Sequence, residues 1–146
     1  MAHVQHNARL NELLIALGKS LLQYVGQCSS WSSRSQKGVE AEFQKIVAVQ
    51  QEHVAKLSAL LTERRWTIDF GGFPADYTDL HFLSLNYLLK LIRVNQQELL
   101  TVLDEASHTC IHDPEASALI SEILTSEREL TERLNNLVPA GAKATV

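Results

Sequence analysis

"DFGGFPAD", residues 69–76, is the stretch on which the reading of the fold turns. Two adjacent glycines precede a proline and an aspartate, in a chain with only six glycines and three prolines. Glycine suits the left-handed backbone that closes a helix, proline cannot continue one, and aspartate caps the start of the next. The stretch therefore separates two helices. Upstream, Val39, Phe43, Ile46, Val47, Val54, Leu57, Leu60 and Leu61 recur at helical spacing and predict a helix from about Gln36 to Trp66. Downstream, Leu80, Leu83, Tyr87, Leu88, Leu91, Ile92, Leu99, Val102 and Ala106 predict another, from about Asp76 or Thr78 to Ser107. The link over 66–78 has about 13 residues and reaches roughly 43 Å when extended. A helix of about 28 residues, at 1.5 Å per residue, is about that long. A hairpin between adjacent helices needs far fewer residues. The link thus favours a crossover that leaves these two helices parallel, over a simple up-down arrangement.

Two further stripes complete the pattern. Leu10, Leu13, Leu14, Leu17, Leu21, Tyr24, Val25 and Cys28 form one, followed by a Ser-rich turn at 29–35. Ala116, Leu119, Ile120, Ile123, Leu130, Leu134 and Leu137 form the other. Asp113 and Pro114 mark its start, as cap and first helical residue. Four amphipathic helices of about 25–30 residues, with stripes too broad for a two-stranded coiled coil, predict an all-α four-helix bundle. The bundle is expected to span residues 1–138, with 139–146 as a flexible tail.

Composition narrows the function classes. The 146 residues carry a formal net charge of -4, and no basic stripe points to nucleic acid. No apolar run reaches the ~20 residues of a membrane span, and no charged start with an apolar centre opens the chain, so the expected compartment is the cytoplasm. Cys28 and Cys110 are too few for a disulfide scaffold.

Chemistry, if present, should sit where polar side chains interrupt the stripes. Gln50 and His53 occupy consecutive slots in the seam Phe43, Ile46, Leu57, Leu60. Asn95 falls between Ile92 and Leu99, with Glu98 at the edge one turn along. Glu127 falls between Ile123 and Leu130. The first stripe holds no carboxylate, and Gln23 is marginal to it. Each residue also has a plain structural reading. A core Asn or Gln fixes register, a buried His is satisfied locally, and Glu127 pairs with Arg64 or Arg93. His108, Cys110 and His112 in "HTCIHD" can all bind zinc, but their alternating spacing is not a zinc pattern.

Two stretches resemble the ferritin-like superfamily of bacterioferritin and rubrerythrin type. "ERRWTIDFGGFP" (63–74) is similar to the end of its second helix and the following turn. "SEILTSERELTERL" (121–134) is similar to its fourth helix, where an apolar run precedes Glu-x-x-His. The resemblance implies a dinuclear iron or manganese site: a Glu from each of two helices and Glu-x-x-His from each of the others. Carried over, only Glu127 matches in both slot and type. Leu130 stands where the histidine belongs, Gln50 and His53 stand for the second-helix pair, and the third helix offers Ile92, Asn95 or Glu98 according to register.

The combined expectation is a ferritin-like bundle with a degenerate metal site, without catalysis or cofactor, acting as a scaffold or interaction protein with a protein partner or another copy of itself. The rival expectation is an iron- or manganese-binding oxidoreductase or iron-storage-like protein, with Gln50, His53, Glu98 and Glu127 as the metal candidates. The connection aromatics Trp31, Trp66, Phe70, Phe73 and Tyr77 either cap the ends of the bundle or form a partner surface.

Overall fold

The computed structural model describes residues 3–28, 37–80 and 85–137, and the regular structure among them is entirely helical. The elements are α1 (His3–Gly18), α2 (Leu21–Cys28), α3 (Lys37–Glu63), a 3-10 helix (Ala75–Leu80), α4 (Leu85–Thr109) and α5 (Pro114–Leu137). The all-α expectation holds. The Ser-rich turn with Trp31, Leu83 and the 139–146 tail lie outside the described residues.

Two apolar clusters show how the helices run. One joins Leu10, Leu14 and Leu17 of α1 to Leu57 and Leu61 of α3, Leu99 and Leu103 of α4, and Ile120 and Ile123 of α5. The other joins Leu21 and Leu22 of α2 to Phe43 and Ile46, Leu89 and Ile92, and Leu130 and Leu134. The C-terminal halves of α3 and α4 thus lie at one end, together with α1 and the N-terminal half of α5, while α2 lies at the other. So α3 and α4 run in the same direction, opposite to α1, α2 and α5.

The segment after α3 travels back along α1 and α2. Asn11 Nδ2 donates to the Asp69 carbonyl at 2.8 Å, and Asn11 Oδ1 accepts from Asp69 N at 3.0 Å and Trp66 Nε1 at 3.2 Å. Gly71 crosses Ile15 so closely that a Cβ there would lie 2.7 Å from Ile15 Cγ2, and its φ of +68° also favours glycine. Phe73 meets Tyr24 edge-on, with ring centroids 5.1 Å apart, and lies under Lys19 Nζ. Tyr77 reaches Tyr24 at 5.4 Å. These aromatics line the flank of α1 and α2, while Phe70 stays 53% exposed.

Three local features differ from the expectations. The first stripe is two helices, not one. Lys19 N still bonds to Ile15 O, but Leu21 N donates to the Asn95 side chain at 3.1 Å, and Ser20 Oγ caps α2 by accepting from Gln23 N at 3.2 Å. A side chain inserted into the helical ladder bends it. The break keeps the helical phase of Leu17, Leu21 and Val25, so periodicity alone does not reveal it.

The second difference is the end of α3. The helix closes at Glu63 in a Schellman motif, with Trp66 N on Leu61 O and Arg65 N on Thr62 O, both 3.0 Å. Arg65, with φ 58°, takes the left-handed position usually given to glycine.

Third, Ala75–Leu80 is a 3-10 helix where an α-helix is expected, and α4 is described over Leu85–Thr109. Its buried residues Leu89, Ile92, Gln96, Leu99, Leu103 and Ala106 advance by alternating threes and fours. That register turns Tyr87 outward, to 50% exposure, and brings in Gln96.

Candidate functional site

Between the two apolar clusters, the helices contribute one layer of buried polar side chains. Glu127 is at its centre and is fully buried. It lies on α5 midway between Ile123 and Leu130, which face the core as the sequence spacing requires. Gln50 Nε2 donates to Glu127 Oε1 at 2.9 Å, and Gln96 Nε2 donates to the same oxygen at 2.7 Å. His53 Nδ1 stands 2.5 Å from Glu127 Oε2, and opposite an ionised carboxylate, which only accepts, this nitrogen is the donor.

The network extends to α2. Gln50 Oε1 accepts from Ser20 Oγ at 2.7 Å and from Gln23 Nε2 at 3.2 Å, and Gln23 Nε2 also donates to Val47 O at 3.0 Å. Ser20 therefore has two roles. It caps α2 and positions the amide that holds Glu127. Thr131 closes the α5 side by donating to the Glu127 carbonyl at 2.8 Å.

A carboxylate taken out of water is stabilised only where donors replace its hydration. Here both oxygens of Glu127 receive N–H groups, one of them from an imidazole able to carry positive charge. The layer brings three of the four sequence-predicted metal candidates together: Gln50, His53 and Glu127. Glu98 does not join them. It precedes buried Leu99, is turned by one helical step to the exposed side of α4, and its charge instead raises the Tyr77 phenol pKa, second to the effect of burial.

Asn95, expected in the seam, lies at its edge and receives Leu21 N. Arg64 and Arg93, the expected partners of Glu127, bind elsewhere. Arg93 Nε donates to Asn135 at 2.8 Å. Arg64 forms a two-pronged pair with Asp113, both contacts 2.8 Å, and also reaches Asn7 at 2.9 Å. That pairing raises the Arg64 pKa. Asp113 meanwhile caps α5 through Ala116 N at 3.2 Å, as Asp-Pro at 113–114 predicts. The Arg64 cluster fastens the α1, α3 and α5 ends together.

Ser20 and Gln96 were missed by the reading of sequence. Gln96 lies four residues beyond Ile92 and three before Leu99, a signal hidden by placing Leu88 and Asn95 in the seam. Ser20 is a polar residue just beyond Gly18 inside an apolar stripe, the only trace of the helix break.

The set supplies one carboxylate and one imidazole. A dinuclear site needs about four carboxylates and two histidines. At "HTCIHD", Cys110 is fully buried while His108 and His112 are exposed, so the three do not converge. Among the described residues, no group of three or more His, Cys, Asp or Glu side chains is arranged to hold a metal ion. No described helix is long and apolar enough to cross a membrane. Compared with known proteins, the chain matches no family model, no curated protein and no solved structure.

Proposed function

We propose that this chain is a four-helix bundle of ferritin-like type, with a crossover between α3 and α4, in which a hydrogen-bonded polar layer takes the place of a dinuclear metal centre. On this reading it is a non-catalytic scaffold or interaction protein. Support for the bundle comes from the common direction of α3 and α4, with residues 66–77 laid along α1 and α2. Support for the function comes from one observation above all: both Glu127 oxygens are occupied by Gln50, Gln96 and His53, with no second carboxylate in the layer among the described residues. A carboxylate saturated by N–H donors has little left to offer a cation.

Elemental analysis of protein purified with added Fe²⁺ or Mn²⁺ tests the reading. The expected result is metal far below one ion per chain, unchanged by Glu127→Ala. About two ions per chain, lost in Glu127→Ala, would establish the rival iron or manganese protein instead.

A further inference from the structure

We infer that the polar layer binds an internal water molecule at Gln96 Oε1. Gln96 is fully buried and its Nε2 is committed to Glu127 at 2.7 Å, yet among the described residues no donor reaches its Oε1. Every other side-chain nitrogen and oxygen of the layer that is shut off from solvent has a partner. Turning the amide over gives no escape. It would set Oε1 against Glu127 Oε1, oxygen to oxygen, and leave Nε2 as the orphan. The orientation is therefore fixed by the carboxylate, and the need for a donor is real, because buried polar atoms in folded proteins nearly always find one.

The chemistry of the surroundings selects the ligand. A cation needs several oxygens around it, and the carboxylate oxygens of this layer already face N–H groups of Gln50, Gln96 and His53. A neutral donor meets no such opposition, and water is the smallest. A buried water also needs further polar partners. Thr131, buried one turn beyond Glu127 on α5, keeps its oxygen lone pairs for such a role, since its hydroxyl gives its proton to the Glu127 carbonyl. Thr131 also borders a cleft of about 330 Å³ between α4 and α5, with Gln97 and Leu100 opposite.

A crystal structure at high resolution tests the site directly. The expected result is an ordered water within hydrogen-bonding distance of Gln96 Oε1, lost in Gln96→Leu. Oxygen-17 magnetic relaxation dispersion in solution should then count about one long-lived internal water fewer in Gln96→Leu than in the parent chain. A protein donor on Oε1, a metal ion at that position, or a dry apolar contact would each overturn the inference. So would an unchanged water count in a folded Gln96→Leu protein. Should that variant not fold, the parent structure alone decides.

Discussion

At the scale of single residues, Glu127 shows how a buried charge is held without leaving the core. The sequence places it on the inner face of α5, and Gln50 and His53 on the inner face of α3, by spacing alone. What spacing does not disclose is that these groups lie at one level and point at one another. Removing a partner of a buried charge is more damaging than removing the pair. His53→Leu should therefore destabilise the fold by about 3–5 kcal/mol in urea or guanidinium unfolding. The double variant His53→Leu/Glu127→Leu should recover most of that loss. A single variant as stable as the parent would show that Glu127 does not depend on the imidazole.

Among the elements, the α3 terminus and the α1–α2 break carry the clearest local signatures. Arg65 holds a left-handed backbone at φ 58°, which a side chain with a Cβ adopts at a cost. Arg65→Gly should stabilise by about 0.5–1 kcal/mol, read as a raised denaturation midpoint with an unchanged slope. No gain would mean that the Arg65 side chain makes compensating contacts. At the break, Ser20 both caps α2 and donates to Gln50. Ser20→Ala should cost about 1–2 kcal/mol, and Ser20→Thr, which keeps the hydroxyl, should cost less. Equal losses in the two variants would indicate that shape rather than the hydroxyl matters.

For the whole molecule, Cys110 reports on global opening. It is fully buried beside Ala106 and Ala116, and burial pushes its thiol pKa above the ordinary value of 9.0, with Asp113 adding to the effect. The fold therefore favours the neutral thiol. That contribution to stability is fully present below the unfolded-state pKa and is lost as pH rises through the higher folded-state value. In a Cys28→Ser background, Cys110 should react with a thiol reagent only at the rate of unfolding, and stability should decline in alkaline solution by less in Cys110→Ala. Rapid labelling under native conditions would place Cys110 in a locally open region instead.

The helices, their inner faces, the Asp113 cap and the long link were legible because each depends on residues close together in sequence. Periodicity, glycine, proline and capping side chains act within a few residues, and they set local backbone choices before any tertiary contact forms. The exposed position of Glu98, the buried one of Gln96 with its bond to Glu127, and the break at Ser20 were not legible. They depend on the rotation of each helix against its neighbours, where a single residue step turns a side chain from core to solvent. Only the packed structure decides that rotation, because it is the shared burial of all the helical faces, rather than any one stripe, that selects which polar groups meet in the middle.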